Sequence, residues 1–269
     1  MRHLADSQSV DRCRTAGIGV GHRSIMSDAP GAFPQTRWTL VVTAGQETNA
    51  DAAQALEKLC QDYWYPLYCY VRRRGYSPAD AEDLTQGFFQ HVLVRRDFAM
   101  ADAARGRFRS FLLTALKHFL ADEWDKSQAQ KRGGHCTIVS IDQMAAEERF
   151  QAEPADDHTP EKCFEQSWAQ TVLAQILEKL TEEQRKAGKE DVFRELSPFV
   201  AWSTAVDSDY SKAAIALGMK ENAVRVQVFR LRKRYTEILR REIAQTVASP
   251  DDVAREIDDL FNALRGDAA

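Results

Sequence analysis

The side chains best placed to do chemistry in this 269-residue chain are cations, and they are concentrated in one stretch. Arg225, Arg230, Arg232, Lys233, Arg234, Arg240 and Arg241 lie close together and are answered locally only by Glu221, Glu237 and Glu242. Guanidinium and ammonium groups in such a run bind phosphate oxygens, and those near one end of a helix can also reach base edges. The formal net charge is −4, so the stretch is a local cation on a mildly acidic chain. Bond-making chemistry has less to work with. The six histidines, His3, His22, His91, His118, His135 and His158, are scattered. No nucleophile is spaced to pair with a base, and no glycine-rich loop offers a phosphate cradle. The five cysteines, Cys13, Cys60, Cys69, Cys136 and Cys163, form neither a CxxC metal motif nor a disulfide framework, so reduced thiols in a cytoplasmic protein are expected. His135, Cys136, His158 and Cys163 fit no standard zinc spacing. A non-enzymatic chain with no metal and no cofactor is the expectation.

Two helices must position those cations. Ser211 reads as an N-cap, Ala213, Ala214 and Leu217 give a short helix one apolar side, and Gly218 supplies a left-handed turn. Val224, Val228, Leu231, Tyr235, Ile238 and Leu239 then recur at helical spacing and leave the cations on the other faces. A short helix, a tight turn and a long basic helix form the pattern of a helix-turn-helix whose second helix enters the DNA major groove. Asn222, Arg225, Gln227 and Phe229 are then expected at base edges, and Arg230, Arg232, Lys233 and Arg234 at phosphates. Lys212 on the first helix is a further DNA contact. An amphipathic surface helix with a solvated basic face would carry the same charges, but the short helix and glycine turn before it favour DNA. Lys220, just ahead of the second helix, has no side-chain acceptor with which to cap it.

The remaining stretches read as supports. Residues 1–35 are polar and aperiodic, an arm expected to be disordered, with Met26 as a second candidate start. Ala52 to Val71 is helical and aromatic, with Tyr63, Trp64, Leu67 and Tyr68 expected in a core and Pro66 breaking or kinking the middle. Ser77-Pro78-Ala79-Asp80 is a helix start. That helix, running to about Val94, turns Leu84, Phe88 and Val92 inward and leaves Asp80, Asp83, Gln86 and Gln90 outside, as solvated surface or as a docking face for a basic partner. A basic loop, Arg105 to Arg109, leads into a helix from Phe108 to Gln130 that is apolar on more than one face. Lys117, His118 and Asp122 are left outside. Aromatics beside cations suit single-stranded bases, although a bundle helix would look alike. Residues 131–162, with Gly133, Gly134, Pro154 and Pro160, read as a linker. A second helical domain follows over 163–246, and a last amphipathic, acidic helix occupies the extension 247–269. No strand-like alternation persists, so the fold expected is all-α: two helical domains joined by a flexible linker. There is neither a membrane-length apolar run nor an apolar leader.

Three motifs, in order, resemble the extracytoplasmic-function sigma factors of bacterial RNA polymerase. Tyr65 to Arg74 (YPLYCYVRRR) followed by Asp80 to Gln86 (DAEDLTQ) is similar to the region that docks on the clamp coiled coil of the largest polymerase subunit. The resemblance thereby implies Asp80, Glu82, Asp83 and Gln86 as core-polymerase contacts. Phe108 to Asp122 is similar to the segment that melts and reads the minus-ten element; with the loop before it, this implies Arg107, Phe108, Arg109, Phe111, Lys117, His118 and Asp122 as contacts. Tyr210 to Tyr235 is similar to the segment that binds the minus-thirty-five element. The phrases RWTLV, YWYPLY, RGRFRSFLL, KHFLADEWD and AQKRGG resemble a subgroup seen in planctomycetes and acidobacteria. The chain departs from the family where His118 stands for its usual Asn and Phe111 for its usual Trp, and in the extension beyond Ser249. The domains implied are a core- and minus-ten-binding region over 36–130 and a minus-thirty-five-binding region over 163–246. Control would fall to an anti-sigma factor, a kinase or the tail. The alternative is a stand-alone helix-turn-helix regulator with an N-terminal sensing or dimerisation domain, which would bind duplex without polymerase.

Overall fold

Among the described residues the chain forms nine helices. The computed structural model describes residues 50–95, 107–129, 143–152, 159–200, 210–247 and 249–265. The expectations for the arm 1–35 and for Arg105 and Gly106 lie outside these. The helices are α1 (Ala50–Arg73), α2 (Pro78–Arg95), α3 (Phe108–Ala129), α4 (Gln143–Ala152), α5 (Pro160–Lys186), α6 (Glu190–Leu196), α7 (Tyr210–Leu217), α8 (Glu221–Ala244) and α9 (Asp252–Arg265), with a 3₁₀ turn at Ser197–Phe199. Among the described residues there is no strand, and no helix is long and apolar enough to cross a membrane.

Capping sets the helix starts. Ser77 Oγ accepts from the Asp80 N–H at 3.2 Å and donates to the Asp80 carboxylate at 2.7 Å, closing the first turn of α2. At α5, Thr159 Oγ1 accepts from the Lys162 N–H at 3.2 Å and Pro160 occupies the first turn. The helix therefore starts three residues ahead of the expected Cys163. Helix α7 begins at Tyr210, so Ser211 lies inside its first turn and is not the cap expected. Pro66 does not divide α1, which runs through it as one helix. Proline removes only one backbone donor, and the residues on both sides of it, Tyr63 to Val71, are all buried and hold the turn in place.

Helix α5 is the hub. It packs along α1 over the most extensive interface among the described residues, and it also meets α6, α8 and α9. Its buried stripe is Cys163, Phe164, Ser167, Trp168, Ala169, Ile176 and Leu180. Truncating a fully buried aromatic such as Trp168 costs about 3–5 kcal/mol. The described residues all belong to one compact unit. The helices expected on either side of a flexible connection thus pack on each other. Part of that connection is helix α4, whose Glu147 accepts from Arg72 Nη2 at 2.8 Å, Arg72 Nε at 3.0 Å and Tyr68 Oη at 2.6 Å. These donors hold the Glu147 carboxyl down at about 2. Within the 131–162 stretch, expected as a linker, the described residues 143–152 form a helix of nearly three turns that carries this anchor.

Candidate nucleic-acid interface

The junction of α7 and α8 is built by one glycine. Gly218 has φ +60°, the left-handed region that a side chain disfavours. Its N–H donates to the Ile215 carbonyl at 3.2 Å, and the Met219 N–H donates to the Ala214 carbonyl at 2.9 Å, the paired bonds that end a helix and turn the chain sharply. Helix α8 then starts without a side-chain cap at Lys220, as expected. Val224, Val228, Leu231, Tyr235, Ile238, Leu239 and Ile243 are buried along one side of it. Ala213 and Ala214 on α7 are buried too. The spacing of the inward residues therefore decides which residues face out.

That outer face carries Asn222, Arg225, Val226, Phe229, Arg230 and Lys233, all exposed. Arg225 is held rather than loose: it pairs with Glu221 at 2.5 Å and lies 4.8 Å over the Tyr210 ring, itself stacked on Phe199 at 5.1 Å. Arg230 and Lys233 have no ion-pair partner among the described residues. Phe229 is 69% exposed and Val226 46% exposed, apolar surface set among cations. Val226 and the exposed Ile215 of α7 were not among the expected contacts. Val226 could have been found, since it sits four residues after Asn222 and three before Phe229 on the same stripe. Lys212 is exposed on α7, and Gln227 is only half-exposed. Two expected phosphate ligands are engaged within the chain. Arg234 binds Glu183 at 2.7 Å and Glu237 at 3.0 Å, and Arg232 Nε donates to the Phe199 carbonyl at 2.8 Å.

The start of α3 is arranged differently. Phe108 is core, 1% exposed and edge-on to Tyr63 at 5.1 Å. Arg109 is 5% exposed, with Nε on Glu256 at 2.7 Å, Nη2 within 3.3 Å of Asp259, Nη1 on Glu165, and its guanidinium 4.5 Å over Trp168. Arg107 Nε meets Glu256 at 3.0 Å and its Nη1 meets Asp259. Arg107, Phe108 and Arg109, expected at the minus-ten strand, thus face into the chain. Burial and the Glu256 carboxylate push the Tyr63 phenol above its ordinary range. Further along α3, Phe111 is half-buried, while Lys117, His118 and Asp122 are exposed. Lys117 pairs with Glu161 at 2.7 Å.

Asp80 and Asp83 are exposed on α2, and Glu82 and Gln86, bonded to each other at 2.9 Å, are half-exposed beside them. A cleft of about 620 Å³ between the α1–α2 turn and α3 brings Asp80 near Lys117, Arg74, Tyr76 and Trp124. Two expected sites, for protein and for DNA, therefore share an edge. Among the described residues no group of histidines, cysteines and carboxylates is placed to hold a metal. Cys60 is the free cysteine there, and burial lifts its thiol to about 12, so it stays protonated at neutral pH. Cys69 and Cys163 are not the separate thiols expected. They form a disulfide between α1 and α5, with Cα atoms 6.2 Å apart. Comparison with protein-family models, with curated proteins and with solved structures finds no match.

Proposed function

We propose that the chain is a promoter-specificity subunit of bacterial RNA polymerase, of the extracytoplasmic-function sigma type, acting in the cytoplasm and making or breaking no covalent bond. The observation that carries this reading is the outer face of α8: exposed cations with Val226 and Phe229 among them, on the second helix of a glycine-turned pair. Cations position such a helix on phosphates, and apolar side chains contact thymine methyl groups in the major groove. The acidic face of α2, Asp80 and Asp83 with Glu82 and Gln86 beside them, would engage the basic clamp of the polymerase. Minus-ten and minus-thirty-five elements lie about 85 Å apart along a duplex that rises 3.4 Å per base pair. A compact unit of about 240 residues has a radius of gyration of about 18 Å. On this reading the packed arrangement belongs to the chain off the promoter, and α1–α3 must part from α7–α8 to span both elements.

The test is transcription by core polymerase, stripped of other specificity subunits, on a plasmid library with randomised upstream sequence. Added chain should select a narrow set of start sites, and Asp80→Lys with Asp83→Lys should abolish both selection and co-purification with core. Absence of any selected start would end the proposal. The close packing of α1 on α5 favours a second reading, a stand-alone helix-turn-helix regulator whose N-terminal half is fixed to the DNA-binding half. Tight binding to a duplex site without polymerase would favour that reading instead.

A further inference from the structure

Resting on the promoter reading, we infer that α9 is a built-in competitor for the DNA-melting segment: its carboxylates occupy Arg107 and Arg109 in place of nucleic-acid phosphate. Two guanidiniums, those of Arg107 and Arg109, meet three carboxylates, Glu256 and Asp259 from α9 and Glu165 from α5. The cluster is over-neutralised and offers no net positive charge to a phosphate. Glu256 is fully buried and is reached by both arginines; a carboxylate taken out of water is costly to leave without such partners. The mainchain adds to the contact. The Phe108 N–H donates to the Thr246 carbonyl, in the connection that leads to α9, at 3.2 Å. Leu260 on the same helix is buried, so the acidic groups are delivered by a packed element and not by a loose tail. Release of α9 removes Glu256 and Asp259 from both cations at once and leaves Arg109 with Glu165 of α5 alone, so a phosphate backbone can take the place of the α9 carboxylates without leaving either guanidinium unpaired.

The test compares wild type, Asp259→Asn and Glu256→Gln/Asp259→Asn in transcription from the randomised library, with core polymerase, limiting chain and reductant present so that Cys69 and Cys163 do not hold α1 on α5. Asp259 is partly exposed, so its single substitution leaves the core intact. Initiation should rise about threefold for Asp259→Asn and about tenfold for the double variant, at unchanged start sites. In wild type, hydrogen exchange over Asp252–Arg265 should quicken when core and a selected promoter are added. Selected starts by wild type with no gain for Asp259→Asn, or exchange over α9 unchanged by promoter, overturns the inference and leaves the promoter reading standing. No selected start from any of the three removes both.

Discussion

Two basic regions of this molecule are treated in opposite ways. On α8 Arg230 and Lys233 stand outward, with no carboxylate to answer them among the described residues. At the start of α3, Arg107 and Arg109 are surrounded by three carboxylates, and Arg109 is almost wholly buried. Charge held in water at a surface contributes little to folding and is available to a ligand. Charge held out of water is the reverse: committed to its partners and costly to leave alone. The contrast separates cations that can recognise from cations that, in this arrangement, hold the chain together.

The comparison breaks most sharply at Arg109. Removing it leaves Glu256 buried without its main partner, so Arg109→Ala should destabilise the fold by about 3–5 kcal/mol in denaturant titration. A midpoint within error of wild type would mean the cluster contributes no net stability. Arg225→Ala should behave oppositely, with an unchanged unfolding midpoint but about 1–3 kcal/mol lost in discrimination between selected and scrambled promoters. Equal losses on both DNAs would reduce Arg225 to a phosphate contact. Glu147 sharpens the point with a third, partly buried pair. Its carboxyl is held at about 2, below the ordinary 4.5. The stability it contributes is complete above pH 4.5 and disappears as pH falls toward 2. Glu147→Gln should therefore cost about 1–3 kcal/mol at neutral pH, with the gap to wild type closing through that acidic window. A gap independent of pH would show that packing, not charge, is lost. The smallest effect is expected at Lys233→Ala: no change in stability, uniform weakening on all DNA, and a salt slope shallower by about one.

Local pattern carried the α7–α8 pair. The apolar spacing from Val224 to Leu239, the glycine at 218 and the absent cap at Lys220 each have a short-range cause, and the helices stand where those causes put them. The start at Ser77 is legible for the same reason. Long-range proximity left no local trace. Arg109 and Glu256 are 147 residues apart, and nothing in the spacing of either marks it as the other's partner. Arg107 and Arg109 looked like surface cations because a basic loop normally is one. Phe108 looked like a stacking platform because exposure cannot be read from residue type. Helix α4 was obscured by the prolines and acids around it, although Glu147 ties it to α1.

The disulfide between Cys69 and Cys163 gives the molecule a property that outlasts its helices. With the two positions 94 apart in sequence, the oxidised chain is a ring with two tails, even when fully denatured. Closing a ring of that size narrows the unfolded ensemble by about 4–5 kcal/mol in the chain-entropy account. Without reductant, the chain should migrate faster through a denaturing gel than its mass predicts, and thiol treatment should slow it again. The same treatment should lower the melting midpoint while leaving every non-covalent helix contact in place.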